Sequence, residues 1–428
     1  MAQINFMGYA KPTQMGHGIH QRQWARAFIV SEQPTPSASQ SLPSTMEEEL
    51  SQHLVVGEKR VVQVKTKKKK KHRSLLRWMM TSNNDKPSPP APSRISQLDP
   101  EKTICFVSID AGMGSDLLNK RVLERLDELL PPQANSNNQR RLCHLENLSI
   151  SGTHTHSAPA GFIQYTLYQI TSAGFSEEVM AAYVEGISQS IVRAYENLQE
   201  GHLTMGKDQL HGANINRSPT SYLLNPEEER ERYKDIGDTD KTMLQLKFET
   251  LQGNATGILN WFAVHGTSMN ASNVLISGDN KGYASYLLEK QMNGRSAPPG
   301  TGSFVAAFAS TNLGDVSPNT AGPRCIDTGL PCDILTSTCG GDNGKCIASG
   351  PGKDMFESTE IIGRMQYEIA EALLRNSTTM VQGEVAFRHS FIDMSNLTVV
   401  INGNETVTTC PAALGYSFAG GTTDGPGA

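Results

Sequence analysis

Short apolar runs alternate along this chain with longer stretches in which apolar residues recur every three or four positions. The segment Thr103-Ile104-Cys105-Phe106-Val107-Ser108-Ile109-Asp110 has the continuous apolar character of a buried strand. Directly after it, Leu118, Val122, Leu126 and Leu129 fall on one stripe and predict a helix from about Asp116, with Ser115 as its N-cap. A longer helix is predicted over about 177–198 from Met180, Val184, Ile187, Ile191 and Leu198, capped by Ser176. Strands are expected near residues 148–150, 243–248, 257–264 and 304–310, and helices near 283–292 and 360–374. Strands alternating with helices place the fold in the α/β class, as one large domain with an insertion.

The pattern breaks once. Residues 1–31 read as the start of the catalytic domain and end in the apolar Ala27-Phe28-Ile29-Val30. Over 32–101 the chain is rich in Ser and Pro and carries an unbroken lysine block at 67–71, so it is expected to be a disordered insertion. The block reads as a solvated charge run. Folding resumes over 102–428, with a polar loop expected at 133–141.

Composition narrows the classes of partner. The 428 residues are 37% hydrophobic with a formal charge of -5, which points to no nucleic-acid partner for the chain as a whole. No stretch approaches the roughly 18 apolar residues of a membrane span, so any membrane contact is expected to be peripheral. The N-terminus lacks the basic and apolar regions of a secretory signal, yet Asn-x-Ser/Thr sequons at Asn147, Asn216, Asn254, Asn270, Asn376, Asn396 and Asn404 look extracellular. Cys325, Cys332, Cys339 and Cys346 repeat every seven residues in a polar segment without close C-x-x-C pairs, which favours a disulfide-stapled loop over a metal knuckle. Four cysteines allow three connectivities, and spacing does not choose among them.

Candidate chemistry gathers at strand ends. His154 and His156 follow an apolar strand, and on an extended backbone alternate residues face the same side, so both are expected to reach one centre. His265 ends the apolar stretch 258–264, where α/β enzymes place their sites. Imidazole is the commonest zinc ligand, and catalytic zinc takes ligands from separate strands while keeping a position open. In Gly314-Asp315-Val316-Ser317-Pro318-Asn319 a serine is expected to be exposed at a turn, where it can act as a nucleophile. Asp315 either orients a base or caps the turn. Arg217, in Ile215-Asn216-Arg217-Ser218-Pro219, is a candidate for polarising a carbonyl, or else forms a surface salt bridge. Together these residues suggest a zinc-dependent hydrolase.

These motifs occur with Asn5-Phe6-Met7-Gly8-Tyr9-Ala10, Ser151-Gly152-Thr153-His154-Thr155-His156-Ser157-Ala158-Pro159-Ala160-Gly161 and Gly278-Asp279-Asn280-Lys281-Gly282 in a single order. In that combination the chain resembles the neutral ceramidase family over residues 3–31 and 102–428, apart from a divergent patch at 131–147. The resemblance implies zinc-dependent hydrolysis of the N-acyl amide bond of ceramide to sphingosine and a fatty acid, at the secreted or outer face of a membrane. It implies that His154 and His265 ligate Zn2+, that Ser317 is the nucleophile unless a zinc-bound water attacks, and that His156 and Arg217 line the site. It also implies pairing of Cys325 with Cys339 and of Cys332 with Cys346, each closing a loop of about 15 residues worth about 3 kcal/mol.

The family further implies features that this sequence does not display: a leader before the first motif, a short turn in place of 32–101, and a continuation beyond Ala428. That continuation supplies a glutamate and a tyrosine to the zinc site, a partner for Cys410, and an immunoglobulin-like domain. The expectation is therefore an incomplete gene product, with 32–101 resembling translated intron. Its competitors are a catalytically incomplete lipid-binding or regulatory fragment and a different metallo-amidase of the same architecture.

Overall fold

A computed structural model describes residues 4–32, 61–63, 98–130, 140–401, 403–413, 415 and 419–427. Its main sheet is built from β1 (Ala25–Glu32), β2 (Val61–Gln63), β3 (Thr103–Ile109), β4 (Leu148–Gly152), β5 (Gln199–Gln209), β6 (Thr242–Thr250), β7 (Ala255–Trp261), β8 (Val305–Ala309) and β9 (Thr379–Met380). The spatial order is β8-β7-β6-β5-β2-β1-β3-β4, with β9 paired to β5. Four helices cover it: α1 (Asp116–Leu129), α2 (Glu177–Glu196), α3 (Asp279–Asn293) and α4 (Met355–Asn376).

Strand alternation sorts side chains into three cores. Ala27, Ile29, Cys105, Val107 and Ile109 point outward and pack against Leu118, Val122 and Leu126 of α1 and Met180, Ile187 and Ile191 of α2. At the other end of the sheet, Ile258, Ala306 and Phe308 meet Ala284 and Leu288 of α3 and Ile362, Ala370 and Leu373 of α4. The intervening residues Phe28, Leu203, Phe248, Leu259, Val305 and Ala307 form a third core between the two halves of the sheet. Phe28 stacks on Phe248 at 5.0 Å across that gap, and β8 comes back against β1 and β3. The sheet is folded over on itself, and the layers run helix, sheet, sheet, helix.

The α/β class holds, with a mixed sheet. Only β3–β4 and β7–β8 are parallel; the other pairs are antiparallel. Each parallel pair requires a crossover, and α1 and α3 supply one each. Both pairs send their C-terminal ends toward the same crevice, which is what locates the site.

The predicted caps are present: Ser115 Oγ accepts from Leu118 N at 3.1 Å and Ser176 Oγ from Val179 N at 3.3 Å. α4 starts at Met355, ahead of the expected 360, because Asp354 caps it by accepting from Glu357 N at 2.8 Å. α3 likewise starts at Asp279 rather than near 283.

Within the span expected to be disordered, Val61–Gln63 form β2, bridging β1 and β5 by backbone pairing. The span's average composition conceals a short β-branched run there. The rest of the insertion, its lysine block and most of the 133–141 loop lie outside the described residues.

The three disulfides are Cys325–Cys339, Cys332–Cys346 and Cys105–Cys143. The first two are the pairs implied by the family resemblance. The third was concealed because Cys105 reads as an ordinary apolar strand residue. Cys410 is exposed and unpaired. Two sequons are internal: Asn147 is buried and its Nδ2 donates to the carbonyls of Pro100, Thr103 and Leu142, and the Asn216 Nδ2 donates to Asp238 O at 3.1 Å. The other five sequon asparagines are exposed.

Candidate active site

The crevice is walled by the segments that follow β3, β4, β7 and β8. After β4 the backbone does not continue extended as the sequence suggested. His154 adopts φ +63°, a left-handed conformation, held by His154 N donating to Ala111 O at 3.0 Å. This kink, rather than strand alternation, turns His154 toward His156, and their Nε2 atoms are 3.2 Å apart. The segment after β7 bridges alongside, with His156 N donating to Gly266 O at 3.0 Å. Gly266 is required there: a Cβ would lie 2.6 Å from His154 O and from Thr155 Cα.

His154, His156 and His265 therefore converge, with a side-chain nitrogen of each within 4.8 Å of the others. His154 Nδ1 donates to Gly112 O at 2.6 Å and His265 Nδ1 to Val316 O at 2.9 Å. Because a carbonyl only accepts, both Nδ1 atoms carry the proton and both Nε2 lone pairs face the cluster, the arrangement that orients metal-ligating histidines; that of His265 accepts from Arg217 Nη2 at 3.1 Å. Burial holds all three imidazoles neutral. It pushes His265 down to about 2, with help from Arg217, and His156 well below its ordinary value. His154 is lowered by the same cause. The His156 Nδ1 is buried and has no hydrogen-bond partner among the described residues. Neutral, convergent imidazoles fit a divalent cation such as zinc.

Ser317 is fully buried, contrary to its expected exposure at a turn. It belongs to a two-residue strand, Val316–Ser317, paired with Ile215–Asn216. That pairing ties the serine motif to the arginine motif, and His265 contacts the carbonyl of Val316 next to the serine. Ser317 Oγ donates to Asp424 Oδ1 at 2.6 Å and accepts from Asn319 N at 3.0 Å.

Arg217 is not a surface ion pair. Its side chain is 13% exposed; Nη1 meets Asp424 Oδ2 at 3.2 Å, Nη2 lies 3.1 Å from His265 Nε2, and Nε and Nη2 donate to Gly314 O. Asp315 orients no histidine among the described residues; its carboxylate accepts from Asn216 at 3.4 Å and its carbonyl from Arg217 N.

Several site residues were not legible as such in the sequence. Asp424 is buried and also accepts from Asn319 Nδ2 at 2.8 Å and Thr267 Oγ1 at 3.3 Å. The available signal was an acid flanked by glycine in Gly420-Gly421-Thr422-Thr423-Asp424-Gly425-Pro426, a turn whose backbone can approach closely. The N-terminal motif belongs here too: Tyr9 packs edge-on against His156 at 4.6 Å and donates to Met269 O at 2.9 Å. A Cβ on Gly8, at φ +128°, would lie 2.2 Å from the His156 ring. Asn280, at the start of α3, donates to His265 O at 2.9 Å.

Residues 1–45 and 95–428 match the model of the neutral/alkaline non-lysosomal ceramidase family, N-terminal region; the unmatched part falls within the Ser/Pro/Lys-rich span. A neutral ceramidase of Drosophila pseudoobscura pseudoobscura is 41% identical over 440 residues, covering 100% of this chain and 51% of that protein. Neutral ceramidase A of Dictyostelium discoideum is 47% identical over 328 residues, covering 76% of this chain and 44% of that protein. Among solved structures, a ceramidase complexed with C2 superposes with a TM-score of 0.68 at 31% identity, covering 100% of this chain and 50% of that one. Neutral ceramidase from Pseudomonas aeruginosa gives 0.65 at 30% identity, over 97% and 49%. The chain spans about half the length of the curated relatives it matches. By sequence and by fold it belongs to the neutral/alkaline non-lysosomal ceramidase family.

Proposed function

We propose that this chain carries the catalytic region of a neutral ceramidase, which hydrolyses the N-acyl amide of ceramide to sphingosine and a fatty acid, with Zn2+ held by His154 and His265. One observation carries the reading: three neutral imidazoles, a partly buried arginine and a hydrogen-bonded serine meet at one crevice, from motifs far apart in sequence. Zinc, when bound, supplies Lewis acidity toward the amide carbonyl. Ser317 attacks the carbonyl carbon. Arg217 and His156 line the oxyanion side, where donors in a dry site act most strongly. Burial lowers the pKa of all three imidazoles and so favours their unprotonated, ligating form.

The substrate is a membrane lipid, and an apolar rim supports access to it. Ile326, Leu330, Ile334 and Leu335 stand exposed on the disulfide-stapled loop, and Leu224 is 84% exposed nearby. Thr220 Oγ1 donates to Ile334 O at 2.8 Å, which joins that loop to the segment after Arg217. Contact with a lipid surface is therefore peripheral; no helix of the described residues is long and apolar enough to cross a membrane. The exposed sequons and the disulfides support a secreted or outer-face location.

The test is release of fatty acid from a fluorescent ceramide in the presence of zinc. Wild type is expected to be active, and Ser317→Ala and His154→Ala to lose at least about a hundredfold in kcat/KM. Undiminished activity in either variant removes the role assigned to that residue. An inactive wild-type chain that holds no stoichiometric zinc by metal analysis supports the competing reading, a catalytically incomplete lipid-binding fragment.

A further inference from the structure

Ser317 Oγ has two hydrogen-bond contacts among the described residues, and neither is an imidazole. It accepts from the backbone N–H of Asn319 at 3.0 Å, and its own hydrogen points to Asp424 Oδ1 at 2.6 Å. A hydroxyl has one hydrogen and two lone pairs, so this geometry leaves one lone pair free for a substrate carbon while the proton already faces a carboxylate. Asp424 is itself fixed on every side. Oδ1 takes Ser317 and Asn319 Nδ2; Oδ2 takes Arg217 Nη1 at 3.2 Å and Thr267 Oγ1 at 3.3 Å. Four donors hold the carboxylate in one orientation within a buried site. Its presence is also felt by Tyr9, whose hydroxyl is raised well above its ordinary value by burial and then by the charges of Asp424 and Asp279.

We infer that Asp424 is the base that takes the Ser317 proton, an inference that rests on Ser317 being the nucleophile. As the Oγ–C bond forms at the amide carbonyl, the hydroxyl proton passes to Asp424 Oδ1. Collapse of the adduct breaks the C–N bond, and that proton goes to the departing nitrogen, which leaves as the free amine. Water then adds to the acyl ester, the fatty acid departs, and the Ser317 hydroxyl is restored. Arg217 links this step to the imidazole cluster, since one guanidinium touches both Asp424 and His265.

Methanesulfonyl fluoride tests the assignment without turnover. It is small enough for a closed site, and it forms an Oγ–S bond with loss of fluoride while the serine proton goes to the base. The full chain is labelled, and the rate at Ser317 is followed by intact mass, alongside kcat and KM for ceramide. Asp424→Asn is expected to slow labelling and to lower kcat by about 10²–10³ with KM within about twofold, and Asp424→Glu to recover part of the rate. Wild-type labelling is expected to be slower in D2O than in H2O, a readout that stands even where Asp424→Asn does not fold. An Asp424→Asn chain labelled as fast as wild type, a wild-type rate indifferent to D2O, or a wild-type Ser317 that is not labelled overturns the role of Asp424. Full ceramide hydrolysis by Ser317→Ala overturns the nucleophile itself and is separately recognisable.

Discussion

At the scale of single residues, the site depends on close approach as much as on the groups that carry chemistry. Gly266 lets the segment after β7 lie against the His154-Thr155-His156 backbone, and any side chain there collides with main chain. Gly266→Ala is expected to lower stability by about 1–3 kcal/mol in denaturant unfolding and to weaken the metal binding proposed for His154 and His265. Unchanged unfolding and unchanged zinc content would show that this contact is not structural. The histidines themselves were legible because His-x-His after an apolar run is a recognisable pattern. The conformation that brings them together was not, since a left-handed His154 is held by its bond to Ala111 O, in the bend that follows β3. Asp424 was the least visible: the glycine-rich turn around it marks a close backbone approach, but not that its carboxylate meets a serine 107 positions earlier.

At the scale of elements, strand ends are pinned from inside. Lys281 on α3 is buried, and its Nζ donates to Phe262 O at 2.9 Å, Ala309 O at 3.0 Å and Gln366 Oε1 at 3.3 Å, which ties the ends of β7 and β8 to α4. Burial pushes its pKa down from 10.5 to about 7. The folded state thus binds this proton less tightly than the unfolded chain, so the contribution to stability is complete above about pH 10.5 and is lost as pH falls toward about 7. Lys281→Met is expected to flatten the slope of unfolding free energy between those limits. A slope identical to wild type would assign the titration to another group.

The Cys105–Cys143 bridge pins β3 to the segment entering β4, across a sequence separation of 38. Cys143→Ser, measured by thermal unfolding, is expected to cost about 2–5 kcal/mol. An unaltered melt would mean that the core around Cys105 holds β3 without it. Periodicity revealed α1 and α2 nearly to the residue because their stripes and serine caps are local signals. It placed α3 and α4 late because Asp279, Lys281 and Asp354, which open these helices, are polar and interrupt the apolar stripe.

At the scale of the whole molecule, the two half-sheets are locked together near the crevice by a buried charge network. Arg26 of β1 pairs with Asp110, just past β3, at 3.3 Å and with Glu289 of α3 at 2.8 Å. It thereby joins the helix layer of one half to the sheet of the other. Arg26→Met leaves two largely buried carboxylates without their cation and is expected to destabilise by about 3–5 kcal/mol, read by chemical denaturation. A loss below about 1 kcal/mol would indicate that water or a neighbouring group compensates.

The sequence by itself determined the α/β class, the main strands and helices, the histidine, serine and arginine motifs, and the family. Each of these is written in residues that are neighbours or that share a short period. Only the tertiary structure decided that the sheet doubles over into two packed halves and that both parallel pairs open onto one crevice. It also decided that Ser317 is buried against Asp424 rather than exposed. These outcomes depend on contacts between segments a hundred or more positions apart, for which a linear pattern carries no register; packing and the pairing of buried polar groups select them.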